Sequence, residues 1–231
     1  QHAVKRSLDK AYNPDIVFTS GFVQKNQLER TESLKNITIE VLGTSRCFDD
    51  VVITNDLKRG AVNNGFRKKT CLVIPEGIES EIHMLFSFSL KCALEYPYMN
   101  FIWRLHPLFS FDSLTAKNNL YNSLPSNVVL SDKELDQDFD RCEWVLYRGS
   151  SAVIQAVVAG LRPIYFHVSE QMKIDPLYEL DVWKMEVETT QNFANILNNS
   201  ECDYPLYRKA RDYCLKIYVP FDYSTINKSL F

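Results

Sequence analysis

The feature that most constrains the fold is a strand–helix–strand unit over residues 72–107. It begins with the apolar run Leu72-Val73-Ile74-Pro75 and continues in a helix whose apolar residues recur at helical spacing. Pro97 ends that helix, and a second strand rich in aromatic and β-branched residues, Phe101-Ile102-Trp103, follows directly. Two strands joined by a helix in this way run parallel, so their carboxyl ends lie at the same edge of a sheet.

The second strand of this unit ends in Arg104-Leu105-His106-Pro107. Pro107 cannot continue a ladder of hydrogen bonds, so the strand stops there. Ligands of open α/β sheets bind outside the carboxyl ends of the strands, where a cation and an imidazole are placed to meet an anion. A surface arginine and a histidine that anchors a loop would have the same sequence. The loop that carries Glu76 and Gly77 opens on the same edge.

A further strand, Trp144-Val145-Leu146-Tyr147, leads into Arg148-Gly149-Ser150-Ser151 and an almost wholly apolar helix over residues 152–159, which must be buried. A small-residue turn before a helix offers backbone N–H groups and hydroxyls to an anion, although serine also caps helices for local reasons. Both motifs follow strands that can be sheet neighbours. We therefore predict that Arg104, His106 and the two serines face one phosphate group.

The rest of the chain alternates short strands with helices. Strands are predicted at residues 16–18, 37–42, 127–130 and 164–166, and helices at residues 3–12, 22–34, 113–123, 132–139, 190–199 and 204–218. This alternation predicts an α/β fold: a Rossmann-like parallel sheet with helices on both faces, closed by C-terminal helices. Residues 49–70 are the least regular part and are predicted to form a linker or an exposed loop.

The composition excludes some classes of function. The chain has 231 residues, of which 45% are hydrophobic, and its net charge of −3 predicts no broad binding to nucleic acid. The six cysteines are scattered, with neither a CxxC pair nor metal-ligand spacing, which favours a reduced cytoplasmic protein without a bound metal. The start at Gln1, inside a helix-like stretch, leads us to expect a piece of a longer protein.

The order of these motifs resembles the donor-binding half of GT-B glycosyltransferases. The matching elements are strand, Pro-Glu-Gly, helix, strand, Arg-x-His-Pro, strand, Gly-Ser-Ser, buried helix and Gly-x-x-Pro, over about residues 70–180. The pattern is most similar to bacterial surface-polysaccharide enzymes with an acidic-Gly motif, an HP motif and an SS motif. These include sialyltransferases, polysialyltransferases and the Kdo transferases of capsule and O-antigen assembly, and more distantly the CDP-glycerol polymerases of teichoic acid.

The resemblance implies roles for particular residues. His106 of the HP motif and Ser150 and Ser151 of the SS motif would hold the nucleotide phosphate and stabilise the negative charge that develops on the leaving nucleotide. The other residues predicted to line the donor site are Gly77, Glu81, Arg104, Pro107, Arg148, Gly149 and Asp175.

Glu76 belongs to the acidic-Gly motif, whose acidic residue acts in the sialyltransferases on the acceptor hydroxyl as a general base. The match to this motif makes Glu76 a candidate catalytic residue. This chain has Pro75 where that motif has a second acidic residue, so binding of the ribose or the base by Glu76, Glu79 or Glu81 stays open.

The resemblance also implies a domain organisation and a reaction. Residues 1–65 would be the end of an acceptor-side domain or a linker, and residues 66–231 a donor-binding domain. The expected reaction transfers a sugar from a nucleotide donor to a glycan or lipid-linked acceptor in capsule or lipopolysaccharide assembly. Among nucleotide donors, CMP-Kdo or CMP-sialic acid is the one most expected. No metal or other cofactor is expected. The expected location is the cytoplasm, with peripheral attachment to the inner membrane or to a missing N-terminal domain as further partners.

Two alternatives remain open at the level of the sequence. The first is an enzyme of the same fold with different chemistry, such as a CDP-glycerol-type phosphotransferase or a sugar-nucleotide epimerase. The second is a non-catalytic α/β module that docks on a partner. Because acceptor binding in GT-B enzymes lies mostly in the first half, an isolated second half is expected to bind nucleotide without turnover.

Overall fold

The computed structural model describes residues 14–46, 69–198 and 203–230. These residues divide into two compact units, a smaller one of residues 14–46 with 212–230, and a larger one of residues 69–198 with 203–211. The helix predicted at residues 3–12 and most of the irregular stretch at residues 49–70 lie outside the described residues. Residues 212–230, which the sequence prediction placed in the second domain, group with residues 14–46.

The smaller unit is built on two parallel strands, in which Ile16 pairs with Thr38. Its elements are β1 (Ile16–Thr19), α1 (Phe22–Glu29), a 3-10 turn (Glu32–Leu34), β2 (Thr38–Val41) and the C-terminal helix α8 (Tyr223–Leu230). The C-terminal segment crosses the carboxyl ends of both strands, because Val219 donates to Ser20 O at 3.1 Å and accepts from Thr44 N at 2.9 Å. Gly43 has φ +84°, a conformation that favours glycine, and a side chain there would overlap the backbone of this segment.

The larger unit contains a sheet of six parallel strands. The strands are β3 (Thr70–Ile74), β4 (Asn100–Trp103), β5 (Val128–Leu130), β6 (Trp144–Tyr147), β7 (Arg162–Phe166) and β8 (Met185–Val187). Their order across the sheet is β5-β4-β3-β6-β7-β8. The chain thus runs outward from β3 to β5 and returns to the other side of β3, which puts the topological switch point between β3 and β6.

Helices cover both faces of this sheet. They are α2 (Glu79–Glu95), α3 (Phe111–Thr115), a 3-10 turn (Asn119–Tyr121), α4 (Leu135–Arg141), α5 (Ala152–Val158), α6 (Thr190–Asn198) and α7 (Tyr204–Leu215), of which α7 continues into the smaller unit. Every residue of β3 and β6 is buried, as parallel strands require when both faces are covered. The core on one face is aromatic, with Phe86 stacked on Trp103 and Phe88 on Phe166, each pair at 4.2 Å between ring centroids. The Rossmann-like fold predicted from the sequence is confirmed.

Some local predictions were wrong. The helix predicted at residues 22–34 ends at Glu29, and the one predicted at residues 113–123 is a short helix followed by a 3-10 turn. Strand β8 was not predicted, because three residues at the edge of a sheet leave too short a pattern. The strands before the His-Pro and Ser-Ser motifs, β4 and β6, are not neighbours of each other, since β3 lies between them.

Candidate functional site

The candidate site consists of three loops at the carboxyl edge of the sheet, one after each of β3, β4 and β6. We define it by Glu76 and Gly77 after β3, His106 after β4, and the Gly149-Ser150-Ser151 turn after β6. Because β3 lies between β4 and β6, its loop is the central one of the three. The site therefore lies at the switch point of the sheet, where α/β proteins bind their ligands.

The imidazole of His106 packs against Gly77. A Cβ atom at position 77 would lie 3.0 to 3.2 Å from Cε1, Nδ1 and Nε2 of the ring, which is tighter than most side-chain contacts. The absence of a side chain at Gly77 thus allows the ring to approach the central loop. This contact joins the acidic-Gly motif to the His-Pro motif directly.

Hydrogen bonds orient the His106 ring. Its Nδ1 accepts from the backbone N–H of Leu108 at 3.3 Å, and its carbonyl accepts from Phe109 N at 2.9 Å. A neutral imidazole that accepts at Nδ1 carries its proton on Nε2, which then donates. Nε2 has no hydrogen-bond partner among the described residues, so this donor is available to a ligand.

The carboxylate of Glu76 packs against Gly149 on the other side of the central loop. A Cβ atom at position 149 would overlap Oε2 of Glu76 and would lie 2.8 Å from Cδ1 of Ile174. Only glycine fits this position without a shift of both neighbours. The loops after β3 and β6 are thus in direct contact immediately before the two serines.

The environment of Glu76 disfavours its ionised form. Burial raises the pKa of the Glu76 carboxyl above its ordinary value, the nearby Glu81 carboxylate raises it further, and the Arg148 guanidinium opposes both. No described residue forms a hydrogen bond with this carboxylate. Carboxyl groups with raised pKa values are more frequent at functional sites than elsewhere.

Ser150 and Ser151 stand at the start of α5 with free side chains. Their carbonyls accept from Val153 N at 3.2 Å and Ile154 N at 3.1 Å, and so begin the helix. Ser151 occupies the N-cap position without the side-chain hydrogen bond of a cap. Neither hydroxyl has a partner within the described part of the chain. The purely local capping role that serine often has is therefore not realised here.

Arg104 is bonded to residues that follow strand β5. Its Nη1 donates to Asp138 Oδ2 at 2.9 Å and to Lys133 O at 2.5 Å. The Asp138 side chain is fully buried, and Ser131 Oγ donates to the same Oδ2 atom. Arg104 thus ties the end of β4 to helix α4, and the structure does not bring its guanidinium to His106. Pro107, beside it, is exposed.

Arg148, which follows β6, forms an ion pair with Glu81 of helix α2. Arg148 is 3% exposed, and its Nη1 lies 2.6 Å from both carboxylate oxygens of Glu81. Its Nη2 donates to the carbonyl of Met172 at 3.2 Å. The pair links helix α2, the end of β6 and the loop after β7, so both residues hold the scaffold of the site together.

Asp175 is also engaged within the protein. Its Oδ1 accepts from Tyr147 Oη and Leu177 N, each at 2.8 Å, and its Oδ2 accepts from Lys184 Nζ at 2.6 Å. The aspartate is 7% exposed, and these hydrogen bonds fix the loop after β7. The sequence did not point to Lys184 as a partner of Asp175, because no local pattern joins two residues nine positions apart in an irregular loop.

Of the three glutamates that could serve a ligand, Glu76 alone lacks a partner in the described part of the chain. Glu79 accepts from Lys117 at 2.9 Å with both oxygens and lies 3.6 Å from His83 Nε2, and Glu81 pairs with Arg148. Sequence reasoning also missed Ile174, whose side chain contacts Gly149. The signal that could have identified it was the position of its loop, after a predicted strand and hence at the same sheet edge.

The described residues contain no group of three or more His, Cys, Asp and Glu side chains placed to hold a metal ion. The four described cysteines, Cys71, Cys92, Cys142 and Cys214, are buried free thiols, and burial raises the pKa of Cys92 to about 12. None of the described helices has both the length and the apolar character needed to cross a membrane.

Comparison with known sequences gives no match, either among protein-family models or among curated proteins. Solved structures do match. The UDP-GlcNAc 2-epimerase of Neisseria meningitidis, solved with UDP-GlcNAc, is 17% identical over 94% of this chain and 61% of that one, with a TM-score of 0.55. The structure of TarM is also 17% identical, over 93% of this chain and 42% of that one, with a TM-score of 0.55.

A third similar structure is the UDP-GlcNAc 2-epimerase of Methanocaldococcus jannaschii in complex with UDP-GlcNAc and UDP. It is 14% identical, over 86% of this chain and 59% of that one, with a TM-score of 0.53. The chain thus spans 42% to 61% of the length of these three structures. At such identities the likeness shows the fold alone, and that fold is the Rossmann-like one described above.

Proposed function

We propose that the chain binds a nucleotide-activated sugar at the three-loop site and is the donor-binding part of a glycosyltransferase of GT-B architecture. The observation that carries the proposal is the contact of the central loop with both of its neighbours, Gly77 with His106 and Glu76 with Gly149. These contacts gather a free imidazole donor and two free hydroxyls at the switch point of one sheet.

The proposed phosphate ligands are His106, Ser150 and Ser151. Nε2–H of His106 and the two hydroxyls are donors, and hydrogen bonds to a phosphate are stronger than those to uncharged acceptors. When the bond between the sugar and the phosphate breaks, its electron pair stays on the phosphate oxygen. Donors already aimed at that oxygen stabilise the developing charge without reorganisation, which lowers the barrier.

The proposed donor is a CMP-linked sugar, CMP-Kdo or CMP-sialic acid, and the support for it is the similarity of the three motifs to those of bacterial surface-polysaccharide enzymes. The acceptor would be a glycan or a lipid-linked glycan of capsule or lipopolysaccharide, at the cytoplasmic side of the inner membrane. We expect the reaction to use neither a metal nor another cofactor. Glu76 remains the candidate catalytic residue of the central loop, since no described residue bonds its carboxylate.

The second candidate function is that of a sugar-nucleotide epimerase. Two of the similar structures are UDP-GlcNAc 2-epimerases, and they match 86% and 94% of this chain. A CDP-glycerol-type phosphotransferase remains a third candidate, because it shares the motif order. Product analysis with the full-length protein separates them: an epimerase returns an isomer of the sugar, and the phosphotransferase passes phosphate to its product.

The test of nucleotide binding is a calorimetric titration with CMP, CDP, UDP and GDP. We expect CMP to bind, and a variant with both Ser150→Ala and Ser151→Ala to bind it at least about tenfold more weakly. Ser169→Ala is the matched control, since Ser169 is exposed on the loop after β7, outside the three loops. A folded wild-type protein that binds none of the four nucleotides would exclude the proposal and leave the docking module.

A further inference from the structure

The charges around the candidate site are unusual for a phosphate site. The three loops contain two cations, Arg104 and Arg148, and both are engaged in ion pairs with Asp138 and Glu81. The groups that remain free are the His106 imidazole, the serine hydroxyls and the Glu76 carboxylate. An incoming phosphate would therefore meet the Glu76 carboxylate, while both arginines of these loops are already paired with other carboxylates.

Glu76 stands where it would oppose the phosphate most strongly. Its Oε2 contacts Gly149, the residue immediately before Ser150, so the carboxylate borders the turn that carries the proposed phosphate donors. Two negative charges at a separation of a few ångströms repel each other strongly in a partly desolvated site. A protonated carboxyl at the same place would instead donate a hydrogen bond to the phosphate.

Every element packed around Glu76 contributes to this balance. Helix α2 presents Glu81, the end of β6 presents Arg148, and the loop after β4 presents His106. The loop after β7 carries Lys173, paired with Glu186 at 3.0 Å, and Asp175, paired with Lys184. The charged groups among these neighbours are held in pairs, whereas Glu76 is not, so its charge can change by protonation when a ligand binds.

We propose that phosphate binding at this site is coupled to protonation of Glu76. The proton comes from solvent, the carboxylate becomes a neutral carboxyl group, and that group donates to a phosphate oxygen beside Ser150. This inference rests on the proposed function, because it assumes that a nucleotide phosphate occupies the three-loop site. It adds that Glu76 selects for ligand charge and disfavours a second phosphate group.

Two properties of the protein support the coupling. Burial and Glu81 already raise the pKa of Glu76 in the absence of a ligand, so less free energy is needed to protonate it than an ordinary carboxylate. Carboxyl groups kept neutral by their surroundings act as hydrogen-bond donors in other sites. The dianionic phosphate of CMP, whose second pKa is about 6, would favour the protonated form further.

The experiment is calorimetric titration of CMP at pH 7.5 in two buffers of different ionisation enthalpy, which counts the protons taken up. We expect the wild-type protein to take up a substantial fraction of one proton, and Glu76→Gln to take up less. Glu76→Gln should bind CMP about tenfold more tightly than the wild type at pH 8, and the increase in affinity should be larger for CDP. The control is Glu79→Gln, which removes a carboxylate already paired with Lys117 and should change neither quantity.

Each outcome decides the inference. Equal proton uptake by wild type and Glu76→Gln would overturn it, since the proton would then not be taken up by Glu76. Weaker CMP binding by Glu76→Gln would also overturn it. Glu76 would then be an acceptor for a ligand hydroxyl, and a titration with dCMP, which lacks the ribose 2′-hydroxyl, would show whether that hydroxyl is the donor. The proton count of the wild type needs no variant. If neither CMP nor CDP binds, the proposed function fails first, and that result is distinct from binding without coupling.

Discussion

The carboxylate of Glu76 lies against the backbone of Gly149, where strand β6 passes into helix α5. This contact joins two loops that are more than 70 residues apart in the chain, and a side chain at position 149 would force Glu76 and Ile174 to shift. The acidic-Gly motif and the Ser-Ser motif are therefore neighbours in the candidate site, and the Gly77–His106 contact adds the third loop.

Gly149→Ala should destabilise the protein and weaken nucleotide binding. The added methyl group would overlap Glu76 and press on Ile174, and overpacking of this kind costs about 1–3 kcal/mol of unfolding free energy. Urea unfolding measures the loss. If the contact with Glu76 is the cause, the same substitution should cost less in a Glu76→Ala background, and equal costs in both backgrounds would contradict this reading.

Glu76→Gln should change the pH dependence of stability. The pKa of Glu76 is raised in the folded protein, so between the unfolded and folded pKa values the native state binds more protons than the unfolded state. The contribution of Glu76 to the free energy of unfolding is therefore present at low pH and is lost as the pH rises through the folded pKa. The glutamine variant should unfold at a higher temperature than the wild type at pH 7.5, and the difference should shrink or reverse towards pH 4.

Arg148→Met should be among the most destabilising single substitutions in the larger unit. It leaves the half-buried Glu81 carboxylate without its partner, and breaking a buried ion pair typically costs about 3–5 kcal/mol. Chemical denaturation should show that loss. A second substitution, Glu81→Met, should restore much of the stability, because it removes the unpaired charge. If the double variant is no more stable than Arg148→Met, the ion pair is not the source of the loss.

Arg104→Met distinguishes phosphate binding, which was expected from the sequence, from the scaffold role that is found in the structure. Its guanidinium bonds Asp138 and Lys133, so the variant should lose about 1–3 kcal/mol of stability through the buried Asp138 carboxylate. At a temperature where it remains folded, its affinity for CMP should stay within about twofold of the wild type. A larger loss of affinity without a loss of stability would show that Arg104 binds the phosphate.

The sequence predicted which loops lie at the carboxyl edge of the sheet, and for a physical reason. The alternation of apolar strands with helices determines a parallel sheet, and a parallel sheet brings all its carboxyl ends to one edge. Glu76, His106 and Ser150 were therefore placed at that edge by the order of the elements alone. The order of the strands did not follow from the pattern. The central place of the Glu76 loop depends on that order, so it could not be predicted either.

The partners of the charged residues could not be predicted in the same way. Arg104 pairs with Asp138, 34 positions away, and Arg148 pairs with Glu81, 67 positions away. Such pairs depend on how α2 and α4 pack on the sheet, which no local pattern encodes. Both arginines were predicted to line the donor site, whereas the structure uses both to hold its scaffold.

The central claim is that His106 holds the phosphate of a nucleotide at the three-loop site. The most direct measurement is calorimetric titration of CMP against the wild type, His106→Ala and His167→Ala. His167 is the matched control, since it also follows a strand of the sheet but pairs with Glu188 at 2.8 Å, outside the three loops. We predict at least about a tenfold loss of affinity for His106→Ala and none for His167→Ala. Equal binding of CMP by all three folded proteins would contradict the account.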